Sequence, residues 1–189
     1  MVKIYQEKEN KTLRMRAKEV PLKEIGAKKI KKIISDMKKA LSTQDDGVAI
    51  AAPQIGESLK IIVISGKVKD IIAGVENIEN LKKTKNLDEV FINPKILRSS
   101  REKNSMEEGC LSVRWLYGKV KRSAKVEITA YDEGGKKVQR GASGLLAQIF
   151  QHEIDHLEGV LFIDKAKDVH EFMPETAGIR EDLKRNAKK

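Results

Sequence analysis

The chain has 189 residues, 40% hydrophobic and 35% charged, with a formal net charge of +10 at pH 7. That length suits one compact domain, taken here as 1–189 with a polar, basic tail from about residue 165, and is too short for two ordinary ones. No apolar run approaches the roughly 20 residues of a membrane helix, and the start Met1-Val2-Lys3-Ile4-Tyr5-Gln6-Glu7 lacks the apolar stretch of a secretory signal. The expectation is a cytoplasmic monomer with no membrane contact.

Positive charge is unevenly spread. Residues 1–41 hold thirteen Lys/Arg against five Asp/Glu, and Lys184, Arg185, Lys188 and Lys189 fall in the last six positions. Such clusters suit either a polyanionic neighbour or solvated helix faces. One Trp, three Tyr and four Phe give little support for a base-stacking platform. The single cysteine, Cys110, excludes an internal disulfide and leaves a packed thiol or a chemically active one.

In chain order, Ile30, Ile33, Ile34, Met37 and Leu41 form one apolar stripe, which predicts a helix from about Leu22 to Leu41. Gly47 to Gly56 is rich in small residues and irregular. Lys60 to Ser65 reads as a buried strand from its β-branched run. Residues 66–88 read as an exposed excursion, a hairpin or short helix. Glu89 to Pro94 reads as a strand ended by proline. Ala124 to Tyr131 alternates at period two and turns through Gly134-Gly135 into a second strand, Lys137 to Arg140. Ser143 can cap a helix over Leu145–Leu157, stopped by Gly159 and apolar on more than one side, hence buried. A last helix is expected over residues 179–185. The fold class is α+β, with antiparallel β-sheets packed around a central helix.

That helix carries His152-Glu153-Ile154-Asp155-His156. Histidines at i and i+4 share one face and suit two bonds to a single metal, and Glu153 beside them can accept a proton from water. The spacing alone indicates a hydrolytic metal site and names no substrate. A metalloprotease needs a further ligand downstream, and Glu158 lies on the wrong face to supply it. The sharper candidate is Cys110, in Glu107-Glu108-Gly109-Cys110-Leu111-Ser112. A thiol enzyme with Cys110 as nucleophile and His152 as base also fits these residues.

Three segments, Gly47–Gln54, Glu108–Ser112 and Gln151–His156, resemble in order and spacing the signature motifs of the peptide deformylase family. Leu13–Val20 and Phe91–Pro94 resemble its flanking segments, so the likeness spans roughly residues 3–165. The resemblance implies removal of the N-formyl group from N-formylmethionyl nascent peptides, with release of formate. It implies Cys110, His152 and His156 as ligands to one divalent metal ion, Fe2+ first and Zn2+, Ni2+ or Co2+ as substitutes. Glu153 would be the general acid/base, and the Gln54 amide and Leu111 N–H would bind the oxyanion. Val48, Ala49, Met106, Leu145, Gln148 and Ile149 would border the substrate. Their neighbours Glu108, Gln151 and Asp155 are candidates either to orient the ligands or simply to be satisfied polar groups. It also implies docking on the ribosome near the exit tunnel, through the basic tail; a metalloprotease, another amidohydrolase or a ribosome-associated homologue are the competing readings.

The chain breaks the family pattern twice. Ala49 stands where glycine is usual, and Arg114 where proline is common. Alanine at positive φ would be strained by roughly 1 kcal/mol or more, so Ala49 is expected at negative φ.

Overall fold

The computed structural model describes residues 2–173. Its elements are α1 (Lys28–Ser42), β1 (Ala49–Ala51), β2 (Ile61–Ile64), α2 (Lys67–Ile72), α3 (Ile78–Lys82), β3 (Glu89–Ser99), β4 (Lys103–Cys110), β5 (Val113–Ser123), β6 (Lys125–Tyr131), β7 (Lys137–Ser143), α4 (Gly144–Leu157) and β8 (Lys167–Glu171). Two antiparallel sheets result, one in the order β1-β2-β3-β6-β7 and one in the order β4-β5-β8. The class is α+β. No helix among the described residues is long and apolar enough to cross a membrane. The tail lysines and the helix expected over residues 179–185 lie outside the described residues.

Strand β2 explains how the larger sheet is covered. Ile61 and Val63 point to a cluster with Ile30, Ile33 and Met37 of α1, while Ile62 and Ile64 point to one with Ile149, Phe150 and Leu157 of α4. A strand buried on both faces needs a continuous apolar run rather than alternation, and Ile61-Ile62-Val63-Ile64 provides it. Across the second cluster Phe91 meets Phe150 edge to face, with ring centroids 5.0 Å apart.

Several boundaries differ from the sequence reading. Helix α1 starts at Lys28, because Leu22–Glu24 forms a separate 3-10 turn and Gly26 follows it. Strand β3 runs through Pro94 to Ser99 instead of stopping there. Its pairing with β2 ends at Ile92 and its register with β6 jumps from Ile92 to Lys95, so the missing proline N–H breaks no ladder bond. Residues 66–88 hold two short helices, α2 and α3. The sequence reading assigned no strand to residues 103–123, yet β4 and β5 form a long hairpin there. Ser143 occupies the N-cap position of α4 and is also the extended last residue of β7, but its side chain makes no capping bond.

The N-terminal segment binds these layers together. Ala17 N–H donates to the Leu157 carbonyl at the end of α4 (2.8 Å), and Lys60 N–H donates to Lys18 (2.8 Å). Gly159, at φ +75°, ends α4 against this segment; a Cβ built there would lie 2.9 Å from the backbone of Arg14. Both strain and collision oppose any side chain. Gly159→Ala is therefore expected to destabilise the fold by about 1–3 kcal/mol, read from urea unfolding; an unchanged midpoint would contradict this placement of the helix end.

Candidate active site

Helix α4 and the turn between β4 and β5 bring three donor atoms together. One ligand atom each from Cys110, His152 and His156 lies within 4.8 Å of the other two. Cys110 Sγ is 3.2 Å from His156 Nε2, and the two imidazole centroids are 5.0 Å apart. The histidines converge because they are one helical turn apart on the same face. Cysteine arrives from the smaller sheet, on the last residue of β4.

Behind these donors lies a chain of charged groups. His152 Nδ1 donates to Glu108 Oε2 (2.9 Å). Arg122 grips both Glu108 oxygens, at 2.7 and 2.9 Å, and reaches Asp155 Oδ2 at 2.6 Å. Lys165 adds two bonds of 2.7 Å to Asp155. Arg122 is only 4% exposed and Glu108 5%, so neither charge could be held without the other. Gln151 instead serves the fold, accepting from Ser123 N–H and donating to the Ser123 and Ala147 carbonyls.

The electrostatics follow from this packing. Burial pushes the Glu108 carboxyl up, but Arg122 and His152 outweigh it and hold it at about 2. Burial likewise opposes the Cys110 thiolate, while His156 and His152 bring the thiol down to about 5. Burial disfavours a charged His152, yet Cys110 and Glu108 raise it well above its ordinary value. Glu153 moves the other way: burial raises it, and the neighbouring imidazoles only partly compensate. Its Oε2 is buried with no hydrogen-bond partner among the described residues.

A cleft of about 260 Å³ opens onto Cys110, His152 and Glu153. Gln54 lines it with a fixed amide. Its Oε1 accepts from Ala51 N–H (2.8 Å), which turns Nε2 towards Ser112 Oγ (3.2 Å) and Cys110 Sγ (3.7 Å). Leu111 also borders the cleft, and its N–H donates to no backbone acceptor among the described residues. Val48, Ala49, Leu145, Gln148 and Ile149 line the cleft as well. Met106 does not: it lies further along β4 opposite Val120, beyond the Glu107–Cys110 stretch that borders the opening. Trp115, Leu116 and Tyr117 of β5 complete the rim.

A family model of polypeptide deformylases matches residues 1–172. The chain belongs to that family. It is similar to a peptide deformylase of Halothermothrix orenii, 43% identical over 160 residues that cover 84% of this chain and 91% of the relative. It is similar also to a chloroplastic peptide deformylase 1A of Solanum lycopersicum, 40% identical over 79% of this chain; the chain spans 54% of that relative's length. Among solved structures, a Met-Ala-Ser-bound class I type b peptide deformylase from Acinetobacter baumannii superposes with a TM-score of 0.72. It is 28% identical and covers 87% of this chain and 99% of its own.

Both departures from the family pattern sit at the cleft. Ala49 begins β1, and the only non-glycine residues at positive φ among those described are Asn93 and Asp168. The expected ordinary backbone is therefore found. Arg114 forms an ion pair with Asp46, donates to Gln44 Oε1 (2.8 Å), and lies over the Trp115 ring at 4.8 Å. Arg122 was not singled out in the sequence; it lies on the inner face of β5, where Gly118, Val120 and Arg122 are buried while Lys119 and Lys121 are exposed.

The Glu108–Arg122 pair makes stability depend on acid. With an ordinary value of 4.5 and a folded value near 2, Glu108 contributes stability above pH 4.5 that is lost as pH falls towards 2. Arg122→Met should cost about 3–5 kcal/mol near neutral pH by stranding a buried carboxylate. Urea unfolding at a series of pH values should show the gap to wild type narrowing below pH 4.5. A gap independent of pH would contradict the pairing.

Proposed function

We propose that the chain removes the formyl group from the N-terminal methionine of new polypeptides and releases formate, using one divalent metal ion held by Cys110, His152 and His156. The observation that carries this reading is the buried thiol and two imidazoles converging beside a carboxylate whose one oxygen has no partner. The residues fit a metal. Ligands of one tetrahedral ion lie roughly 3.5 Å apart, His152 has its Nδ1 committed to Glu108 and so offers Nε2, and the lowered thiol pKa supplies thiolate. In this reading one α+β domain folds its two sheets about α4 as the central helix.

When bound, the ion supplies Lewis-acid polarisation of the formyl oxygen and acidifies a water. The chain's own groups do the rest. Glu153 accepts a proton from the attacking water, a task suited to a carboxylate raised by burial, and returns it to the departing amine. The Gln54 Nε2–H and Leu111 N–H donate to the oxygen of the formyl group as negative charge develops there. Val48, Leu145 and Ile149 make an apolar wall for the methionine side chain, with Gln148 fixed by its bond to the Glu107 carbonyl (2.8 Å). Binding of Met-Ala-Ser by the Acinetobacter relative supports a methionine-led peptide as ligand. A single Cys110–His156 contact would also suit a thiol nucleophile and its base; the second imidazole, His152, converging on the same point supports a ligand set. The site of action is the cytoplasm, where formylated chains emerge from the ribosome.

Formate release from a formyl-Met peptide by anaerobically prepared protein tests this reading, with acetylated and unformylated peptides as controls. Wild type should act on the formylated peptide alone. Glu153→Ala should lose activity by about 10²–10⁴-fold while its metal content stays at one ion per chain. Turnover by the variant at the wild-type rate, or none by wild type, would overturn the assignment.

For the ion itself we favour Fe2+. One thiolate and two imidazoles accept several first-row metals, but a ferrous thiolate site open to a cleft is vulnerable to oxygen and peroxide. The protein as isolated without oxygen should then lose activity in air faster than the same protein reloaded with Ni2+. Equal half-lives would contradict iron.

A further inference from the structure

The turn that presents Cys110 and Leu111 is weakly held by its own hairpin. Pairing between β4 and β5 is continuous from Lys103↔Ser123 to Gly109↔Tyr117, then jumps to Cys110↔Val113. Arg114, Trp115 and Leu116 are thereby left without partners on β4. A two-residue turn closed by one pair does not by itself fix where the Leu111 N–H points.

The N-terminal segment supplies what the ladder omits. Gln6 Nε2 donates to the Leu111 carbonyl (2.9 Å), and Gln6 Oε1 accepts from Arg114 N–H (3.2 Å), so one amide bridges both ends of the turn. The neighbouring Glu7 N–H donates to the Ser112 carbonyl (2.8 Å), and Tyr5 N–H donates to the Gln54 carbonyl (2.8 Å). Tyr5 and Gln6 thus bond to the two residues assigned to the oxyanion, and Glu7 bonds to Ser112 beside Leu111. Gln6 can satisfy both groups at once because a primary amide carries a donor and an acceptor side by side.

We infer that Gln6 is a positioning residue for the deformylation step: by clamping the Leu111–Arg114 turn it aims the Leu111 N–H at the formyl oxygen. This rests on the function proposed above. It touches neither substrate nor metal, so its effect belongs to the transition state rather than to binding.

Two variants separate its bonds. Gln6→Met keeps the length and removes both. Gln6→Glu keeps the acceptor for Arg114 N–H and sets a carboxylate oxygen against the Leu111 carbonyl. In the formate assay, kcat of Gln6→Met should fall about tenfold, less than the loss of an entire oxyanion donor, and Gln6→Glu should fall further. KM and metal content should stay at wild-type values, and the thermal midpoint should fall only by the few degrees that the lost bonds account for. Unchanged kcat, or a fall that only tracks lost metal or lost folded protein, would overturn the inference. Amide hydrogen exchange over residues 110–114 separates this from failure of the deformylase reading. If wild type released no formate, that reading would fall and the clamp would be judged on exchange alone. Faster exchange in Gln6→Met supports the clamp; identical exchange overturns it.

Discussion

The site depends on one buried run of charge, from Arg122 through Glu108 to His152. An imidazole on a helix in an apolar core has no reason to point one way unless something fixes its second nitrogen. Glu108 does so, and a carboxylate that is 5% exposed can remain ionised only because Arg122 meets it with two donors. Asp155 takes the remaining Arg122 bond from the same helix face. The smaller sheet and α4 are thereby tied by ion pairs at the point where Cys110 must meet the two histidines.

The larger sheet contributes rigidity. Its strands β1 and β2 are sandwiched between α1 and α4, so the cleft wall at Ala49 and the floor at Ile149 share one apolar cluster. Close packing of this kind leaves little room for drift. The two residues proposed to bind the oxyanion are instead set on turns: Leu111 on the β4–β5 turn and Gln54 on the 3-10 turn after β1. Turns make geometry adjustable, and each of these two is pinned by bonds from the N-terminal segment. That segment ranks as part of the site's scaffold.

Elements with strong local periodicity were legible in the sequence. The stripe of α1, the apolar run of β2 and the helix bearing His152 and His156 each declare themselves within about fifteen residues. The β4–β5 hairpin was not legible, because the polar sequence of Lys103–Cys110 carries no strand signal. The strand beyond Pro94 was missed because a proline is harmless where no neighbour needs its N–H. Cys110, His152, Glu153 and His156 could be singled out because few residue types offer metal ligands or a base at such spacing, and the structure brings them together at one cleft. Arg122 and Gln6 could not, since a buried arginine looks like any other basic residue and a clamp 105 positions away in sequence has no local signature. Met106 does not border the described opening, because position along a strand, not residue type, decides which side chains reach it.

The central claim is that the thiol and two imidazoles act together as one metal centre. X-ray absorption on the protein loaded with one equivalent of Zn2+ tests it most directly. One sulfur at about 2.3 Å and two imidazole nitrogens at about 2.1 Å, with the sulfur lost in Cys110→Ala, is the predicted shell. A shell with no sulfur, or one unchanged by removing Cys110, would contradict the account.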